Sequence, residues 1–168
     1  MNETNIIDKK VEESKNKNSI IDDKKLKLWI ANRKSIENKL APNINNFKSQ
    51  TRGGFILILE DKILLILSRQ SGLWGFPKGR TKDTDPNFLQ VALRELHEET
   101  GIILNLSFIL PGYIKFNTTF YYIAVLNSKP LLNPVDNFEI EAISWLKLSQ
   151  LNILTLHSNV KTFISKYF

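Results

Sequence analysis

The stretch "PNFLQVALRELHEET", residues 86–100, constrains this chain more than any other part of it. Its large apolar side chains recur every three or four residues, which is the period of a helix with one face in a core. On a helical wheel, Glu95 and Glu99 lie together at the edge of that face, and Glu98 lies just outside them. The stretch therefore predicts an amphipathic helix that holds three carboxylates beside an apolar arc of Phe88, Leu89, Ala92, Leu93 and Leu96.

The residues at the two ends of this stretch fit a helix of that length. Asp85 can cap the N-terminus, with Pro86 at the first helical position. Gly101 can adopt the left-handed conformation that commonly ends a helix. The flanking sequence thus predicts both ends of the helix.

The three glutamates pose an electrostatic problem. Like charges one helical turn apart repel each other, and partial desolvation increases the repulsion. A bound divalent cation would turn that repulsion into attraction, and oxygen ligands suit Mg²⁺ or Mn²⁺. The spacing alone leaves a second interpretation open, because an acidic helix face is often simply solvated.

The residues "RELHEETGI", from Arg94 to Ile102, together with Gly79, resemble the signature of the Nudix hydrolases, G-x5-E-x7-R-E-U-x-E-E-x-G-U, in which U is a bulky aliphatic residue. The resemblance spans roughly residues 50–165 and implies an α/β fold, with a mixed β-sheet in an α/β/α sandwich. It also implies that Glu95, Glu98 and Glu99 bind catalytic Mg²⁺ or Mn²⁺.

The first half of the signature departs from the family pattern. Between Gly79 and Arg94 this chain has one residue more than the signature allows. The expected glutamate falls on Asp85, and Pro86 is the apparent insertion. In the family this acid orders the loop by pairing with the arginine, here Arg94. Asp85 can be that partner, the helix cap or both, and Asp83 is a further candidate for the pairing.

Two other segments, "WGFPKG" (74–79) and "EIEAISW" (139–145), resemble the mRNA-decapping Nudix enzymes of eukaryotes and of some large DNA viruses. The resemblance implies that Lys78 contacts the substrate phosphates, and Arg80 in the same basic run is a second candidate. It implies that Glu139 is the general base, with Glu98 as an alternative. The reaction expected is removal of the 5′ cap of mRNA, giving m7GDP and 5′-monophosphate RNA.

Two other functions remain open. One is hydrolysis of dinucleoside polyphosphates or diphosphoinositol polyphosphates. The other is a non-catalytic Nudix module that binds RNA or protein, although a module without catalysis has no need for three mutually repelling carboxylates. Cellular decapping enzymes also have a larger N-terminal helical domain and a longer basic C-terminal helix than this chain offers.

The chain divides into three predicted regions. Residues 1–23 are polar and predict a flexible tail. Residues 24–50 predict a short helical extension and a linker, and the helix either packs on the domain through Trp29 or offers a basic surface to RNA. Residues 51–168 predict the Nudix domain, with a β-hairpin, a loop, the acidic helix, two further strands and a final helix, at 55–70, 71–80, 86–100, 120–126, 139–148 and 156–168.

The composition indicates which compartment and which kinds of partner to expect. The chain has no cysteine, so no disulfide partner is expected, and no apolar run is long enough to span a bilayer. We expect a cytoplasmic protein with no membrane partner. The formal net charge is +6, and residues 62–82 contain five basic side chains and no acidic one. Such a run beside a carboxylate cluster suits an anionic ligand, either capped RNA or another nucleotide-type phosphoanhydride.

Overall fold

The computed structural model describes residues 24–34, 44, 50–135 and 138–168. The predicted tail and most of the predicted linker lie outside these ranges. Within the described ranges the α-helices are α1 (Lys24–Lys34), α2 (Phe88–Thr100) and α3 (Ser158–Tyr167), and two 3-10 helices span Leu106–Phe108 and Leu148–Ile153. The strands are β1 (Arg52–Leu59), β2 (Lys62–Ser68), β3 (Trp74–Gly75), β4 (Lys78–Arg80), β5 (Ile114–Phe116), β6 (Thr119–Leu126) and β7 (Ile140–Lys147).

The strands form one mixed sheet around β1. Strand β1 pairs in parallel with β6 along its whole length, and antiparallel with β2 at one end and β4 at the other. Strand β2 also pairs with β3 and β7, and β5 pairs with β6. The antiparallel β1–β2 pair confirms the predicted hairpin.

Two hydrophobic cores lie on opposite faces of the sheet. Alternate residues of β1 point to opposite faces, so Phe55 contributes to one core and Ile56 to the other. The first core is closed by α2, and the second by α1 and α3. This arrangement confirms the predicted α/β/α sandwich, in which α2 is the only α-helix on its side of the sheet among the described residues.

Helix α1 packs on the domain through Trp29, as one interpretation of the sequence predicted. The Trp29 ring meets Phe163 edge to face at 5.2 Å and also contacts Tyr167 and Phe168. Only 8% of Trp29 is exposed. The apolar side of α1 is therefore buried against α3.

Several local predictions need correction. Helix α2 begins at Phe88, two residues later than predicted, and its buried face includes Val91, which the predicted arc omits. Leu89 and Leu93 are only partly buried. The predicted loop at 71–80 contains β3 and β4, because Gly/Pro punctuation hides two very short strands. In the parts of the chain that are described, no helix has the length and apolarity to cross a membrane.

Candidate active site

Asn87, rather than Asp85, caps the acidic helix. The Asn87 side chain accepts a hydrogen bond from the Gln90 backbone N–H at 3.0 Å. The prediction that Asp85 is the cap is therefore wrong. The Asp85 carboxylate instead accepts from the Lys82 backbone N–H at 2.8 Å and from the charged guanidinium of Arg94, and such charge-assisted hydrogen bonds are strong.

Arg94 connects the loop before α2 to the glutamates on it. Its Nε and Nη2 donate to the two carboxylate oxygens of Asp85 at 3.1 and 2.8 Å, and Nη2 also donates to the Arg80 carbonyl at 2.8 Å. Its Nη1 donates to Glu95 at 2.6 Å and to Glu98 at 3.1 Å. One side chain thus holds the loop and two of the three glutamates in place, despite the extra residue in the loop.

Glu99 is the most buried of the three glutamates, with 9% of the residue exposed. Burial raises its pKa to about 8, and the neighbouring Glu95 and Glu139 add to that effect. The Lys78 backbone N–H partly opposes this rise by donating to Oε2 at 2.9 Å. Burial also raises the pKa of Glu95, against the opposing effect of Arg94. The site therefore favours positive charge near these two carboxylates.

Two glycines allow close packing around the acidic helix. A side chain at Gly79 would collide with the Glu95 carboxylate, so the bare backbone of β4 lets that glutamate approach. Gly101 has φ 77° and caps the helix end, where its N–H donates to the His97 carbonyl at 2.8 Å. A side chain there would meet the Asn133 backbone. Both positions require glycine for a specific steric reason.

The three glutamates open onto a cleft of about 630 Å³. Every residue predicted for catalysis, metal binding or phosphate binding lines it, namely Lys78, Arg80, Glu95, Glu98, Glu99 and Glu139. Asp85, Arg94 and Gly101 do not line the cleft and act on the loop and helix behind it. Arg52, Lys82 and His157 also line it, and sequence reasoning assigned them no role. Of these three residues, only Lys82 could have been found from the sequence, because it belongs to the basic run at 62–82.

Glu139 lines the cleft from the position just before the first residue of β7. The pairing of β2 with β7 shifts between Leu67 and Ser68, so the β7 strand has a bulge next to Ile140. The Arg69 backbone N–H donates to the Glu139 carbonyl at 2.9 Å and anchors this turn. Bulges commonly re-aim side chains beside active sites.

The donor set fits a hard divalent cation. Glu99 Oε1 accepts no hydrogen bond from a described residue, yet it keeps contact with solvent in the cleft. All three glutamates offer oxygen donors, which Mg²⁺ and Mn²⁺ prefer. Glu98 is held by Arg94 and by Lys82, whose Nζ lies 3.1 Å away. In the described ranges no three acidic or histidine side chains are already arranged as a metal cluster.

The sandwich fold and the carboxylate-bearing helix at the floor of a cleft define a class of protein. The sequence model of the NUDIX domain family matches residues 49–167, so the chain belongs to the Nudix hydrolase family. Members of this family generally use divalent metals such as Mg²⁺ or Mn²⁺ and act on phosphoanhydrides.

Within the family, the chain resembles a viral decapping protein. It is 30% identical over 121 residues to the mRNA-decapping protein g5R of African swine fever virus. The match covers 59% of this chain and 48% of the viral protein, so the chain spans about half the length of that relative.

Solved structures share the fold at low identity. The NUDIX domain of Shewanella oneidensis NrtR, in complex with ADP-ribose, has a TM-score of 0.55 at 18% identity, covering 74% of this chain and 90% of that one. A C. elegans Ap4A hydrolase in a binary complex has a TM-score of 0.55 at 18% identity, covering 70% and 95%. These likenesses establish the fold alone.

Proposed function

We propose that this protein is a Mg²⁺- or Mn²⁺-dependent pyrophosphohydrolase that removes the 5′ cap of mRNA, releasing m7GDP and 5′-monophosphate RNA. The observation that carries the proposal is the composition of one cleft, in which Glu95, Glu98, Glu99 and Glu139 share the lining with basic side chains. Carboxylates for a metal ion and cations for phosphates are the two requirements of phosphoanhydride hydrolysis.

The substrate class is supported by likeness and by charge. The viral relative is a decapping protein. Arg52, Lys78, Arg80 and Lys82 line the cleft, and a cap joins its nucleoside to RNA through a chain of phosphates that such cations neutralise. A Nudix enzyme for dinucleoside polyphosphates would meet the same chemical requirement, so the substrate must be tested directly.

Metal binding falls to the helix α2 glutamates. Glu95 and Glu99 would hold the cation, and Glu98 would join them by exchanging its hydrogen bonds from Lys82 and Arg94. The bound ion would polarise the phosphates and lower the pKa of a bound water. The buried position of Glu99 makes it the main ligand, because its desolvated charge gains most from a cation.

Glu139 is the general base in this proposal. Its carboxylate lines the cleft and has no hydrogen-bond or ion-pair partner among the described residues, so it is free to accept a proton. The competing candidate, Glu98, has its two carboxylate oxygens engaged by Lys82 and Arg94, at 3.1 Å each. A Glu139→Gln variant should lose the acidic limb of the pH–rate profile, whereas an unchanged profile would assign the base elsewhere.

The test is a comparison of substrates. We would measure kcat/KM in Mn²⁺ for cap-labelled RNA, diadenosine tetraphosphate, a diphosphoinositol polyphosphate and ADP-ribose. The proposal predicts the highest value for capped RNA, with m7GDP as the labelled product. Faster turnover of one of the small molecules would refute capped RNA as the substrate. No turnover of any of the four substrates would favour a non-catalytic binding module.

A further inference from the structure

His157 lies in the cleft but has no part in the reaction described so far. It precedes α3 and lines the same cleft as Arg52 and Lys78. Its backbone N–H donates to the Trp74 carbonyl at 2.8 Å, which holds it against β3. The ring is therefore attached to rigid parts of the fold at the cleft wall.

The ring presents a defined donor. The Asn159 backbone N–H donates to Nδ1 of His157 at 3.1 Å, so Nδ1 is the acceptor and the proton of the neutral ring sits on Nε2. Nε2 has no hydrogen-bond partner in the described part of the chain, yet it is not a buried unsatisfied atom. It therefore keeps contact with solvent, and the cleft is the open space that His157 lines.

The neighbours of His157 are cations. Arg52 of β1 pairs directly with Arg80 of β4, and Lys78 lies two residues along the same strand, so all three side chains share one face of the sheet. Among the described residues none of the three has an ion-pair partner on its side chain. Burial, together with Lys78 and Arg52, lowers the pKa of His157 and keeps the ring neutral.

We propose that His157 binds the substrate, with its Nε2–H donating to an oxygen of the phosphate chain that Arg52 and Lys78 neutralise. The proposal rests on the proposed phosphoanhydride chemistry, and it places the phosphates between this donor set and the carboxylates of α2. A neutral donor suits this position because a fourth full charge would increase the repulsion among three unpaired cations.

The variant His157→Asn separates binding from structure. Asparagine is a good helix cap and can still accept from the Asn159 N–H, but it lacks the ring N–H. We expect KM for capped RNA to rise about tenfold with kcat little changed, as for the loss of one hydrogen bond to a charged group. The control is His97→Asn, on the exposed side of α2. If His157→Asn is unstable, His157→Ser also preserves the cap.

A direct readout uses the ring nitrogens. The chain has two histidines, so ¹⁵N NMR resolves each one, with His97→Asn giving the assignment. Titration with Mg²⁺-pyrophosphate should shift the Nε2 signal of His157 and leave that of His97 in place. Weaker pyrophosphate binding in His157→Asn supports the role of His157 in binding phosphate. If capped RNA is not hydrolysed, only the proposed decapping function is refuted. If His157→Asn binds pyrophosphate as tightly as wild type, and the wild-type Nε2 signal does not shift, the role of His157 is refuted.

Discussion

Glu99 is the residue at which burial and charge conflict most. It is almost fully buried, its pKa is raised to about 8, and one backbone N–H is its only hydrogen-bond donor among the described residues. Such a carboxylate lowers the stability of the metal-free protein, because folding removes it from water without full compensation. A cation bound beside it would remove that cost, and the proposed metal site therefore predicts that metal binding raises stability through this side chain.

The coupling can be measured without any substrate. Saturating Mn²⁺ at pH 8 should raise the Tm of the wild type by roughly 5–10 °C, the size expected for a ligand well above its Kd. Glu99→Gln should abolish most of this rise because it removes the ligand charge at constant shape. Glu141→Gln, on an exposed glutamate of β7, is the control and should keep the full rise. An equal rise in Tm in both variants would show that Mn²⁺ binds at a site that does not include Glu99.

The environment of Asp85 predicts how the stability of the fold depends on pH. Burial raises its pKa, but the hydrogen bonds from Arg94 and the Lys82 N–H outweigh that and hold the pKa below its usual value. A depressed carboxyl pKa stabilises the fold above the unfolded-state pKa of 3.8, and the contribution is lost as the pH falls through the folded-state pKa. Asp85→Asn should therefore cost about 2 kcal/mol at pH 7.

Urea unfolding of both proteins at pH 7, pH 4 and pH 3 measures this difference. The gap between wild type and Asp85→Asn should be full at pH 7 and shrink below about pH 4. A gap that stays constant with pH would show that the loss of stability in Asp85→Asn does not come from the Asp85 charge.

Sequence reasoning identified the residues of the signature and missed their partners. The spacing of Glu95 and Glu99 placed them on one helix face, and the match of Arg94 to Ile102 to the Nudix signature singled out all three glutamates. Arg52 and His157 lie 26 residues before Lys78 and 79 residues after it in the sequence, and only the sheet and α3 bring them into the cleft. The role of Asp85 stayed open since a cap and an arginine partner have the same residue preference.

At the scale of secondary-structure elements, the end of α2 is fixed by the segment at 133–135. The Asn133 N–H donates to the Thr100 carbonyl at 2.9 Å, and the Val135 N–H donates to the Glu98 carbonyl at 3.0 Å. These bonds satisfy carbonyls that a helix C-terminus leaves without intrahelical partners. The 133–135 segment is thereby tied to the helix that carries the proposed metal ligands.

Substitutions at two glycines with positive φ test whether the 133–135 segment fixes the end of α2. Gly101 has φ 77°, and a side chain there would collide with Asn133, whereas Gly72 has φ 66° and open space around it. Gly72→Ala should cost about 1 kcal/mol from backbone strain alone. Gly101→Ala should cost at least about 1 kcal/mol more because of the collision. Equal losses in thermal or urea unfolding would mean that the 133–135 segment yields freely and does not fix the helix end.

At the scale of the whole molecule, α1 completes the second core. Trp29 packs against three aromatic side chains at the end of α3, so the short N-terminal helix belongs to the folded unit. Trp29→Ala should lower the free energy of unfolding by about 3 kcal/mol. Leu28→Ala is the control, because Leu28 is 64% exposed on the same helix and should change little. Similar small losses in both variants would mean that α1 does not stabilise the domain.

The layered fold was predictable because its cause is spread along the sequence. Apolar runs around Glu60-Asp61-Lys62 and the amphipathic patterns of α2 and α3 indicate a layered fold of a sheet with helices. The specific α/β/α sandwich came from the resemblance to the Nudix signature. The short strands β3 and β4 were not predictable, since two or three residues carry no readable period. Their hydrogen bonds come from β1 and β2.

The most direct test of the account is the release of labelled m7GDP from cap-labelled RNA in Mn²⁺ by wild type, Glu99→Gln and Glu141→Gln. We expect m7GDP from wild type and Glu141→Gln at similar rates, and a rate at least about 100-fold lower from Glu99→Gln. Undiminished release by Glu99→Gln would contradict the central claim that the buried carboxylate of α2 drives hydrolysis in this cleft.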